Sequence, residues 1–112
     1  MQTIVELPEF QRRSDKLLSS SERLSVINYL AAHPLAGDLM QGTGGIRKLR
    51  WAAKGKGKSG GVRIIYYFHN TSIPLFLLTL FGKGEKSNLS KAESNELAKY
   101  VTLIIENYGG QK

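Results

Sequence analysis

Cations dominate the part of this sequence in which chemistry could be done. Between residues 42 and 86 the chain carries Arg47, Lys48, Arg50, Lys54, Lys56, Lys58, Arg63, Lys83 and Lys86, opposed only by Glu85, for a net charge of +8. Residues 1–41 sum to −1 and residues 87–112 to zero, so the whole formal excess of +7 resides in the middle. A solubility charge would be spread more evenly. One concentrated in this way predicts a polyanionic partner, because lysines and arginines that meet phosphates release condensed counterions. Such a cluster can bind phosphates and stabilise charge building up on a phosphorus centre. Free lysine, with a pKa of about 10.4, is a poor base at neutral pH, but crowding by like charges lowers that value. Lys54 and Lys56 are thus candidates for acid–base work, Arg63 for charge stabilisation, and Lys83 and Lys86 for phosphate contacts. A solvated basic face is the competing reading. Against it stand the single sign of the charge and the neighbouring glycines, which permit close backbone approach.

Other motifs carry less. Gly57-Lys58-Ser59 ends like a phosphate-binding P-loop, but the position that needs the first glycine is Ala52, and no helix pattern follows Ser59. His33 precedes Pro34 at a helix end, where a cation simply favours the helix dipole. His69 closes a strand and is open to a proton-transfer role, since histidine titrates near neutrality. With no cysteine and only two dispersed aspartates, neither a disulfide framework, a thiolate metal site nor a metalloenzyme is expected, and no cofactor is called for.

The elements that must position these residues follow from pattern. Thr3-Ile4-Val5 is β-branched and reads as a short strand, and Pro8 suits the first turn of a helix carrying Phe10, Leu17 and Leu18. Ser19 with Glu22 is a capping box, and Leu24, Ile27, Leu30 and Ala31 keep helical spacing until Pro34. A glycine-rich loop over 37–45 leads to a strand, Ile46 to Trp51, with Lys48 and Arg50 on one face and Leu49 and Trp51 on the other. After the basic segment 52–61 come two strands, Val62 to His69 and Leu75 to Phe81, joined through residues 70–74 and apolar on both faces. Their hairpin would bring Arg63 and Lys83 together at its open end. Tyr67 shares the face of Arg63 and could stack on a base, whereas Tyr66 shares that of Val62, Ile64 and Phe68; core packing is favoured for both tyrosines. Glu85 is left as a salt-bridge partner or a base. Ser90 with Glu93 caps a final helix whose stripe runs Leu97, Tyr100, Val101, Ile104, Ile105 and Tyr108 to Gly109-Gly110.

The order β-α-α-β-β-β-α predicts an α+β fold, a small and mostly antiparallel sheet with helices on one face and part of the other left open. At 112 residues the chain predicts a single domain over 1–112, since half that length buries too little core. Its 41% apolar and 22% charged content argues against disorder. The first residues lack a signal-peptide pattern and the apolar stretch 75–81 is too short to span a bilayer, so a cytoplasmic location with no membrane partner is expected.

The runs Gly42-Thr43-Gly44-Gly45-Ile46-Arg47-Lys48-Leu49-Arg50, Lys54-Gly55-Lys56-Gly57-Lys58 and Gly60-Gly61-Val62-Arg63-Ile64-Ile65-Tyr66-Tyr67-Phe68 together resemble HigB-type toxins of the RelE superfamily. The resemblance continues through residues 77–90 and is strongest over 37–93. It implies a microbial-RNase-like fold and a toxin of a type II toxin–antitoxin pair. It also implies a metal-independent endoribonuclease that cleaves messenger RNA, usually in the ribosomal A site, and an antitoxin encoded beside it. In RelE-like enzymes the strand arginine matching Arg63 stabilises the charged phosphate, and loop lysines matching Lys54 and Lys56 assist proton transfer and phosphate binding. The chain departs from that pattern where Ser90 stands near a catalytic tyrosine of some members and Gly84 near an arginine, which leaves the general acid and base open. The candidate catalytic set is Lys54, Lys56, Arg63 and Lys83, and the candidate RNA-binding set is Arg47, Lys48, Arg50, Lys58, Tyr67 and Lys86. Two other functions compete: a non-catalytic RNA-binding module, and a gyrase-poisoning ParE-like relative.

Overall fold

A computed structural model describes residues 1–52, 61–82, 84–85 and 88–108. Five strands and three helices follow one another as β1 (Ile4–Glu6), α1 (Pro8–Leu17), α2 (Ser20–Ala32), β2 (Asp38–Leu39), β3 (Ile46–Trp51), β4 (Val62–Tyr67), β5 (Leu75–Gly82) and α3 (Lys91–Tyr108). The sheet order is β1-β5-β4-β3-β2, antiparallel except for β1, which runs parallel to β5. The α+β class is therefore as the sequence predicts, with one strand more. That strand is β2, two residues inside the stretch read as a loop, and too short for any period-2 signal.

Local chemistry sets the helix starts. Pro8 occupies the first turn of α1, where a missing N–H costs nothing. In α2 the Glu22 N–H donates to Ser19 Oγ at 3.1 Å and the Ser19 N–H to Glu22 Oε1 at 2.7 Å, the reciprocal cap expected from the sequence. Ser90 and Glu93 repeat it ahead of α3, at 3.1 and 2.8 Å.

One expectation is overturned. The helices do not share one face of the sheet. Phe10 of α1 and Val26 and Leu30 of α2 are buried with Val62, Ile64, Tyr66, Leu77 and Leu80 on one side. Val101 and Ile104 of α3 are buried with Ile65, Tyr67, Phe76, Leu78 and Phe81 on the other. The physical reason lies in β4 and β5 themselves: every residue of β4 is buried, and strands apolar on both faces need cover on both.

Two glycines are obligatory for close approach. Gly45 has φ of 120°, and a Cβ there would come within 2.9 Å of the Tyr67 ring. Gly61 enters β4 so near its neighbour that a Cβ would lie 2.0 Å from the Trp51 carbonyl oxygen.

Candidate nucleic-acid interface

Register decides which cations meet. β3 and β4 pair so that Arg50 lies directly opposite Arg63 and Lys48 opposite Ile65, and β5 continues the rows with Phe81 beside Arg63 and Thr79 beside Ile65. Cross-strand partners project to the same face, so Lys48, Arg50 and Arg63 share the α3 side, while Leu49 and Trp51 pack against the α1–α2 side. The alternation read from β3 is thus realised. Arg63 is nearly enclosed, at 6% exposure, whereas Arg50 is exposed and Lys48 half-buried. Lys48 Nζ donates to Asn88 Oδ1 at 3.3 Å, which ties β3 to the segment before α3. Val62 pairs with Gly82, so β5 ends beside the start of β4, as the predicted hairpin requires. Lys54, Lys56, Lys58, Lys83 and Lys86 lie outside the described residues.

Three candidates are placed elsewhere. Arg47 is on the opposite face of β3, and its Nη1 donates to the carbonyls of Gly37 at 2.8 Å and Leu35 at 3.4 Å, so it holds the α2–β2 connection and does not join Arg50 and Arg63. Tyr67 shares Arg63's face as expected but is 1% exposed in the α3-side core, with its hydroxyl 3.1 Å from His69 Nδ1. A ring so enclosed cannot stack on a base, and the core-packing reading stands. His69 follows the end of β4 away from Arg63, six residues on, or about 20 Å of extended chain. It is therefore remote from Arg63 and from Arg50 opposite it.

The buried tyrosines serve the scaffold. The Gly37 N–H donates to the Tyr66 hydroxyl, which in turn donates to the Pro34 carbonyl, both at 2.8 Å. Burial pushes the phenols of Tyr66 and Tyr67 above their ordinary pKa, so both stay protonated and neither supplies a base.

Sequence reasoning missed Arg13. Its Nε donates to the Leu80 carbonyl at 2.6 Å and its Nη2 pairs with Glu85, so α1 clasps both the end of β5 and the turn beyond it. Glu85 is thereby resolved as a salt-bridge partner, and a lone acid amid cations was the signal that some arginine must reach it. A cleft of about 380 Å³ opens nearby, lined by Glu9, Arg13, Glu85, Glu93 and Glu96 among others. Four carboxylates against one arginine repel phosphate, so this cleft is no place for an RNA backbone. Ser90 is spent on its helix cap, and a Cβ at Gly84 would meet open space. Among the described residues no three His, Asp or Glu side chains gather as a metal site, and no helix is long and apolar enough to cross a membrane.

A family model described as the RelE toxin of the RelE/RelB toxin–antitoxin system matches residues 8–109. The chain belongs to the RelE toxin family. The match runs from the first turn of α1 to just past α3 and so takes in all three helices and four of the five strands. This RelE-family chain is accordingly the toxin half of a toxin–antitoxin pair, with an antitoxin as its partner.

Proposed function

We propose that this RelE-family toxin is an endoribonuclease that cleaves messenger RNA, presented to it in the ribosomal A site, by using the RNA's own 2′-hydroxyl as nucleophile. The observation that carries the reading is the Arg50–Arg63 pair. Cross-strand pairing sets Arg50 directly opposite Arg63 on one face of the sheet, so that two cationic side chains can serve a single anion. A phosphodiester is such an anion, and its dianionic transition state gains more from the pair than the ground state does. Arg63, held rigidly at the sheet, acts as a fixed donor to the phosphoryl oxygens, while exposed Arg50 and half-buried Lys48 carry the flanking backbone. Acid and base fall to Lys54 and Lys56, and phosphate contacts to Lys58, Lys83 and Lys86. The steps are removal of the 2′-proton, closure on phosphorus, and protonation of the departing 5′-oxygen.

The test is cleavage of a translated message followed by mapping of 5′ ends, comparing wild type with Arg63→Ala. We expect cleavage to fall by roughly a hundred- to a thousand-fold with the far-ultraviolet spectrum unchanged, the scale of losing one preorganised transition-state donor. Unaltered cleavage would remove Arg63 from the mechanism, and RNA bound without cut ends would leave a binding module instead.

A further inference from the structure

We propose that Arg13 is a positioning residue for RNA cleavage: its clasp on the Leu80 carbonyl and on Glu85 fixes the turn that leaves β5 beside Arg63. The proposal rests on the nuclease reading and adds to it a side chain from the opposite side of the sheet.

The place of Arg13 on its helix is the first clue. Phe10, Ser14 and Leu17 recur at helical spacing, and Phe10 and Ser14 are fully buried, so positions 10, 13, 14 and 17 form the face that α1 turns to the sheet. A guanidinium on such a face needs partners, and both lie at the far end of β5. β1 stops at Glu6, opposite Leu77, and among the described residues no strand flanks that edge of β5 any further. There the Arg13 Nε–H donates to the Leu80 carbonyl at 2.6 Å, as a neighbouring strand would, and the guanidinium also pairs with Glu85. The turn itself is closed by the Glu85 N–H, which donates to the Gly82 carbonyl at 3.0 Å.

What the clasp holds adjoins the cationic row. Phe81 stands opposite Arg63, and Gly82 opposite Val62. In the sequence Glu85 lies between Lys83 and Lys86, so fixing it limits the reach of both, at about 3.8 Å from one Cα to the next. Lys48 of β3 ties the same connection again at Asn88. A partly exposed ion pair adds little to stability, and the weight of this one is in geometry. Nor does Arg13 meet the RNA itself. It approaches from the α1 side while Arg63 projects to the α3 side, and the cleft before it is lined by Glu9, Glu85, Glu93 and Glu96.

Ribosomes stalled with a message in the A site, given increasing amounts of toxin, separate the maximal cleavage rate from the half-saturating concentration. Arg13→Ala and Glu85→Gln should each lower the maximal rate roughly tenfold and leave the half-saturating concentration within about twofold, since misplacement acts on the reaction and not on binding. Arg13→Lys, which can still pair with Glu85, should recover part of the rate. The double variant should be no slower than the slower single one, the mark of two residues acting as a unit. On charge alone, removing an acid from among cations tightens RNA binding, so a slower Glu85→Gln separates geometry from charge. Glu85 is exposed on a turn, so its variant folds even if Arg13→Ala does not, and circular dichroism checks both. The proposal is overturned if Glu85→Gln cleaves as fast as wild type, if Arg13→Ala raises only the half-saturating concentration, or if the two single losses multiply in the double variant. Failure of wild type to cut RNA would instead remove the nuclease reading, and the positioning role with it.

Discussion

Two ends of the same sheet face meet opposite fates. At one end Tyr67 sits opposite Ile46 and Phe76, sealed under Val101 and Ile104 of α3. At the other, Arg63 sits opposite Arg50 and Phe81, with Lys48 one step along the neighbouring strand. Strand alternation assigns both ends to one side and says nothing more. What separates them is the chemistry of the rows: Tyr67 adds its ring to the apolar cluster shared with α3, whereas Arg63 brings a charge into a nearly enclosed position beside Phe81 of that same cluster. A site on a sheet is therefore defined as much by the chemistry of a cross-strand row as by which way its side chains point.

Three substitutions or conditions sharpen that contrast. The largest effect belongs to the sealed end. Tyr67→Ala should cost about 3–5 kcal/mol of stability, the scale of removing a buried aromatic ring, seen as a lower urea midpoint. A change below about 1 kcal/mol would mean that α3 does not close over it. At the cationic end, Arg50→Ala should lower cleavage roughly tenfold, less than Arg63→Ala does, while leaving the urea midpoint unchanged or slightly higher as the like-charged neighbour is removed. A stability loss comparable to that of Tyr67→Ala would make Arg50 structural. The smallest effect is on pH. Because the Tyr66 and Tyr67 phenols are raised above 10.0 in the fold, the native state keeps protons that the unfolded chain releases. That stabilisation is complete below about pH 10 and is lost as pH climbs through the raised values. Urea melts from pH 8 to 11 should show the decline, and Tyr67→Phe should lessen it.

The pattern of residues foretold most of the scaffold. Two capping boxes, Pro8 and the β-branched apolar runs placed three helices and four strands, and period-2 alternation put Lys48 and Arg50 on one face of their strand; that Arg63 joins them depends on the pairing register, which no local period encodes. The two-faced sheet is legible too: strands apolar on both sides demand two covers, although no local pattern says which helix supplies the second. Arg47 escaped because a cation on a strand looks alike whether it faces solvent or a turn of carbonyls. The clasp of Arg13 on Leu80 and Glu85 joins residues 67 and 72 positions apart, and no local period encodes such a contact.

The tight passage of Gly61 against the Trp51 carbonyl has a bearing on how this molecule can lose its potency. Any side chain at that point must wedge the third strand from the fourth, two residues before Arg63 pairs with Arg50. The fold is thus open to a lesion that leaves every positive charge in the sequence untouched and merely spoils the register that brings two of them together.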